Sequence, residues 1–268
     1  MLTWIALGRL GINRNIAFCC YALFPFAYDA IQVRFFLSFT IVLFSLQYLI
    51  DEKRSGLIKY IIGVVLATLF HSTAIIYGLF ILIRLNGNEK LRQRLLAAIF
   101  AVSIVLMGYS LFHPNSAFRM VLVNLFVSNA SEIKVRNYLG YSWKATLMLI
   151  AQELLFFATA AINKKMAEDV YERDALEYKV SQLIYGCNLV ISCTLPLLLV
   201  TPQFLRLFRN LTLLNYGIPG LLAANGEKSQ RKTICILLFI ISFLSIAGWN
   251  YFMGDSLEEV FLVFFNGV

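Results

Sequence analysis

The chain has 268 residues, 60% of them hydrophobic and only 14% charged, with a mean hydropathy of +0.75. That is more apolar surface than one soluble core can hide, so composition excludes a soluble globular domain and makes lipid the solvent. The formal net charge of +8 would suggest nucleic acid in a soluble protein, but here Lys and Arg fall mostly in short loops between apolar runs, which is a topology signal and not a nucleic-acid footprint.

The run after Met1 is short, carries Arg9 and Arg14 behind it and has no small-residue cleavage site, so it does not read as a signal peptide. Apolar runs then predict helices over 15–29, 33–50, 95–112, 145–163, 181–201, 211–224 and 233–252, with a further apolar stretch over 60–83. The expected fold is an all-α integral membrane protein, one polytopic domain over 1–268, with about seven transmembrane helices plus a re-entrant helical hairpin. The mixed-charge stretch 164–179 reads as a solvated helical extension. The five cysteines all lie inside apolar runs without metal-ligand spacing, and read as packing residues.

Tyr60–Ile83 decides the topology. It is flanked by two basic loops, one with Lys53, Arg54 and Lys59, the other with Arg84, Lys90, Arg92 and Arg94. A single crossing would put these loops on opposite sides and leave 11 basic residues inside and 12 outside; a hairpin puts 16 of the 23 inside and 7 outside. The positive-inside bias selects the hairpin. Counted as about 11 residues each, its arms are too short to span, which sets the turn at Phe70-His71-Ser72-Thr73 within the membrane depth, where irregular backbone needs a polar cavity.

The seven outer cations are then Arg34, Arg119, Lys134, Arg136, Lys144, Arg206 and Arg209. Positive charge placed against the topological bias needs another reason, and binding phosphate or acidic sugar supplies one; the planar Arg fork can hold two phosphate oxygens. Arg34 follows Asp29 closely enough for a local ion pair, and equally could stand at the mouth of a cavity. His71 at the hairpin tip, followed by Ser72 and Thr73, reads either as a packing residue or as a general base or anion ligand. Arg206 and Arg209 share a helix face, with Tyr216 two turns on, and snorkelling at the boundary is the plain alternative. Lys134, Arg136 and Tyr138 mix cations with an aromatic, a weak signal for gripping phosphate and stacking on sugar. The sequons at Asn129 and Asn210 are short enough to occur by chance. Nothing in the sequence marks a phosphate loop, a nucleophile elbow or a metal-ligand set, so no cofactor and no metal is expected.

Three local patterns carry a family resemblance: Tyr28-Asp29-Ala30-Ile31-Gln32-Val33-Arg34, Ala67-Thr68-Leu69-Phe70-His71-Ser72-Thr73-Ala74, and Phe204-Leu205-Arg206-Leu207-Phe208-Arg209-Asn210 followed by Leu214-Asn215-Tyr216. In order and spacing they resemble the EpsG family of Wzy-type polysaccharide polymerases of bacterial capsule and exopolysaccharide clusters, although Phe35 stands where that family usually has glutamine. Family members usually run longer at the amino terminus, so the resemblance implies that one or two spans are missing from this chain. It also implies a glycosyltransferase-type polymerase in the bacterial cytoplasmic membrane. Such an enzyme would move a glycan from an undecaprenyl diphosphate carrier onto another lipid-linked repeat unit at the outer face. Its partners would be that lipid-linked oligosaccharide, membrane lipid and other assembly proteins such as a flippase or chain-length regulator. On that view Arg34, Arg206 and Arg209 hold the diphosphate, His71 or Asp29 is the base, and Lys134, Arg136 and Tyr138 meet glycan or lipid phosphate, with Asp29 and Tyr216 completing the substrate contacts. The competing functions are a flippase for the same cargo, expected to show a matching polar set on the inner half, and a non-catalytic subunit of an assembly complex.

Overall fold

The computed structural model describes residues 1–51, 53–84, 89–113, 121, 143–199, 204–217, 232–233, 235–238 and 240–243. Those residues are helical throughout, with no strand among them. The order is α1 (Leu2–Arg9), α2 (Arg14–Leu23), α3 (Phe26–Ile31), α4 (Val33–Ser45), α5 (Gln47–Ile50), α6 (Arg54–Phe70), a 3₁₀ arm (Ser72–Ile83), α7 (Glu89–Phe112), α8 (Trp143–Val170), α9 (Leu176–Ser192), a short 3₁₀ turn (Leu195–Leu199) and α10 (Leu205–Tyr216). Two described segments, Val33–Ile50 and Gln93–Ser110, are long and apolar enough to cross a bilayer by length and composition.

Several boundaries differ from the expected ones for local reasons. The run 15–29 divides at Pro25, whose ring removes an N–H from the ladder, and α1 precedes it. The run 181–201 ends as an α-helix at Ser192, because Pro196 has no N–H to donate to the Ser192 carbonyl four residues back and its ring crowds that carbonyl. The helix expected over 211–224 starts earlier, at Leu205, and stops at Tyr216, short of Pro219. Helix α8 runs on past Lys164 to Val170, so the expected helical extension over 164–179 is met only in its first part; residues 171–175 form a turn before α9.

The stretch 60–83 forms the expected hairpin. Helix α6 and the 3₁₀ arm pack side by side and meet at His71, whose backbone is extended (φ −153°, ψ 120°). Tyr60 donates to the Tyr77 carbonyl across the pair at 2.7 Å. Arg84, at the end of the return arm, donates to the carbonyls of Tyr48 and Lys53, so the two basic loops start from the same end of the molecule. A single crossing would have separated them. The arm lengths need correction. Helix α6 begins at Arg54 and has 17 residues, about 25 Å at 1.5 Å per residue. The return arm has 12 residues in the stretched 3₁₀ form, about 24 Å at 2.0 Å per residue. Each arm therefore reaches most of a hydrocarbon thickness of about 30 Å, and the turn lies at the far end of the pair and not midway.

The same end holds other described basic residues. Arg9 donates to Gln47 at 3.3 Å, Lys164 to Gln93 at 2.9 Å, and a cavity of ≈ 620 Å³ is lined jointly by Arg84, Gln93, Arg173 and Lys179. Arg34, His71 and Arg206 lie together at the opposite end.

Two close contacts set the packing of the hairpin on α4. Ser38 donates to the Ala67 carbonyl at 3.0 Å, and one step further Gly63 faces Ser45, so that a Cβ on Gly63 would collide with Ser45 Oγ and lie 2.7 Å from Ser45 Cβ. On the far side Tyr77 is buried against α10: its hydroxyl donates to the Leu207 carbonyl and accepts from Asn210 Nδ2 at 2.9 Å. Asn188 of α9 and Asn215 of α10 exchange amide hydrogen bonds at 2.8 and 3.0 Å. Replacing Gly63 by leucine should push α4 and α6 apart and cost about 1–3 kcal/mol, read as a lowered melting temperature in detergent. Gly108 has open space around its Cβ position, so Gly108→Ala in α7 should be neutral or gain up to about 1 kcal/mol.

Candidate functional site

The cavity at the end opposite Lys53 and Arg84, ≈ 670 Å³, is lined by residues of three segments that are remote in sequence: Gln32 to Phe35 at the start of α4, Thr68 to Ser72 at the hairpin turn, and Arg206 at the start of α10. Arg34 is exposed at its rim, and His71 and Arg206 are half-buried. The geometry thus brings together three of the four residues singled out for chemistry. The amino terminus of α4 faces the same space, adding the positive end of its dipole.

His71 is the residue of the turn itself, between the two hairpin arms. Its Nδ1 is 2.8 Å from Thr73 Oγ1, and the edge of the ring meets Phe35 with centroids 4.9 Å apart. Phe35, the position where glutamine is usual in the resembled family, thereby holds the imidazole. Desolvation first, then the nearby Arg206 and Arg34 charges, push the His71 pKa below its ordinary value. At neutral pH the ring is neutral and available as a proton acceptor.

Arg209 does not line the cavity. It is 2% exposed and its Nε and Nη2 both reach Asp29 Oδ1, at 3.0 and 2.9 Å. Tyr21 donates to the other carboxylate oxygen at 2.8 Å. Asp29, also 2% exposed, is therefore paired with a residue 180 positions away, not with neighbouring Arg34. Its two oxygens are engaged by three donor groups, which removes it as a convenient base. The remaining reach of Arg209 goes to Gln32: Nη2 donates to Oε1 at 2.7 Å. The spacing of Arg206 and Arg209 does put them on adjacent sides of α10, but the cavity edge falls between them.

Tyr216 is buried in the core, accepting from Ser242 at 2.8 Å with its ring against Phe156. Asn210 is buried and bonded to Tyr77, which removes its sequon from any glycosylation machinery. Arg119, Lys134, Arg136, Tyr138 and Asn129 lie outside the described residues, and Lys144 is in the first turn of α8 without a described side chain. Thr73 stands beside His71 in the sequence pattern, but nothing there singles out Gln32 or Tyr21. Gln32 stood inside the Asp29–Arg34 pattern, and only its contact with Arg209 distinguishes it.

Fold and cavity together define a helical membrane protein with a cationic, histidine-bearing site at the end opposite its basic loops. The family model described as the EpsG family matches residues 3–262, and the chain belongs to that family. It is a family of polysaccharide-polymerase-type membrane proteins. No curated protein and no solved structure matches the chain.

The buried pair and the cavity cations should separate cleanly in stability. Arg209→Ala leaves the Asp29 carboxylate buried without its counter-charge and should cost about 3–5 kcal/mol. Arg34→Ala, at an exposed position, should stay within about 0.5 kcal/mol of the parent protein. Thermal unfolding of the purified variants in detergent checks both.

Proposed function

We propose that this protein is a polysaccharide polymerase of the cytoplasmic membrane, with about seven spans plus the hairpin. It would transfer a glycan from an undecaprenyl diphosphate carrier onto another lipid-linked repeat unit at the outer face. The observation that carries this reading is the convergence of Arg34, His71 and Arg206 on one cavity. As the acceptor hydroxyl oxygen bonds to the anomeric carbon, the bond from that carbon to the diphosphate oxygen breaks and the leaving diphosphate gains negative charge. Guanidinium groups that hold it more tightly in the transition state than in the ground state accelerate transfer. Arg34 and Arg206 are placed for that role. The attacking hydroxyl of the acceptor must lose a proton, and neutral His71, braced by Thr73 and Phe35, is the group to take it. The Asp29–Arg209 pair acts from behind, by holding Gln32 and the start of α4. Lys134, Arg136 and Tyr138 remain proposed contacts to glycan or lipid phosphate from the loop, and no metal is needed for this chemistry.

A flippase for the same cargo is the second reading. What favours it is the other cavity, where Arg84, Arg173 and Lys179 supply a polar set at the opposite end. Proteoliposomes given a defined lipid-linked repeat unit separate the two: a polymerase yields products longer by whole repeats, and a flippase moves the substrate without elongating it. Elongation should fall about 10²–10⁴-fold in His71→Ala and about 10²–10³-fold in Arg34→Ala or Arg206→Ala, at unchanged membrane levels. Full-length polymer from these variants would remove the site assignment. The acid limb of kcat/KM reports the free enzyme's base. Because the His71 pKa is depressed, that limb should have its midpoint below about 6.5, with activity lost as pH falls through it.

A further inference from the structure

Gln32 is half-buried at the residue preceding α4 and lines the cavity with Arg34, His71 and Arg206. The oxygen and nitrogen of a side-chain amide ordinarily look alike, and their assignment rests on neighbours. Here the neighbour decides it. A guanidinium has only donors, so the atom 2.7 Å from Arg209 Nη2 must be the Gln32 oxygen. Arg209 cannot turn aside, because Asp29 holds it through two of its nitrogens and Asp29 is in turn held by Tyr21. The carboxamide is thus fixed with its oxygen spent on a buried cation, and that charge polarises the amide and strengthens its N–H groups as donors.

We propose that the Gln32 amide N–H pair binds an anionic phosphate oxygen of the ligand, as a third donor beside Arg34 and Arg206. This rests on the diphosphate reading given above and deepens it. Asp29, Tyr21 and Arg209 then form a positioning relay that makes Gln32 a dedicated donor. The separation of roles explains why one arginine of the α10 pair is buried while the other lines the cavity.

The test uses the full chain in detergent with two probes, inorganic diphosphate and farnesyl diphosphate, and measures affinity by titration calorimetry. Gln32→Glu keeps the side-chain volume and an oxygen for Arg209, and puts an anionic oxygen where the amide nitrogen was. It should weaken both probes at least about tenfold, since a donor is replaced by a like charge, without lowering the melting temperature. Gln47→Glu makes the same charge change at the far end, beside Arg9, and should leave affinity within about twofold of the parent. A carboxylate in this cavity repels diphosphate whether or not the amide donates, so the neutral Gln32→Met decides: it should weaken both probes about tenfold, and if it binds as the parent does, Gln32 only braces Arg209 and the inference falls while the diphosphate reading stands. If the parent chain binds neither probe, both fall. Tighter binding of farnesyl diphosphate than of inorganic diphosphate identifies a lipid-linked source; equal binding identifies the phosphates alone as the recognised group.

Discussion

A buried ion pair joins two segments remote in sequence: Asp29 of α3 and Arg209 of α10, 180 positions apart and each almost fully enclosed. Two charges withdrawn from water are costly, and in a membrane interior the cost is repaid only when hydrogen bonds satisfy both partners. Here two guanidinium nitrogens and the Tyr21 hydroxyl serve the carboxylate, and Gln32 takes another guanidinium N–H. The consequence is positional. Helix α10 is locked against α3 and the start of α4, and that lock sets Arg206 across the cavity from Arg34.

The third wall comes from the hairpin, and a different set of polar contacts holds it. At its root Arg84 donates to the carbonyls left by the turn between α5 and α6, with Gly56 allowing the close approach. Midway, Tyr60 ties one arm to the other, and Tyr77 ties the return arm to Asn210 of α10. Each contact satisfies a backbone or side-chain group that lipid could not. The 3₁₀ form of the return arm matters too. Its longer rise lets 12 residues match the reach of 17 in α6, so Arg84 returns to the level of Lys53 while His71 stays at the opposite end.

Much of this was legible in the sequence because charge distribution reports sidedness over whole segments. The excess of cations in the loops before α6 and after the return arm calls for a hairpin, and the structure brings Lys53 and Arg84, where those loops meet the two arms, to one end. His71, Arg34 and Arg206 were visible as polar residues where the surrounding pattern offered no reason for them. The partner of Asp29 was not legible. Local spacing favoured Arg34, and nothing in a one-dimensional pattern ranks a contact 180 positions away above one at five. The role of Gln32 was hidden for the same reason, since it depends entirely on Arg209. The length of the hairpin arms is not legible in the sequence, because residue counting assumes α-helical rise and because Arg54 and Lys59 hide the true start of α6. Arg206 and Arg209 looked equivalent at three residues apart; the burial boundary between them belongs to the packing of α10.

The proposed function requires one sidedness: the cationic, histidine-bearing cavity on the outer face and the basic loops on the inner one. Side-selective labelling addresses it most directly. Ser72, Lys53 and Arg173 are exposed, and each can be replaced singly by cysteine in a chain whose five native cysteines have been removed. On intact cells a membrane-impermeant maleimide should react with cysteine at position 72 and reach positions 53 and 173 only after the membrane is permeabilised. Labelling of position 53 or 173 from outside, or protection of position 72 until permeabilisation, would contradict that sidedness.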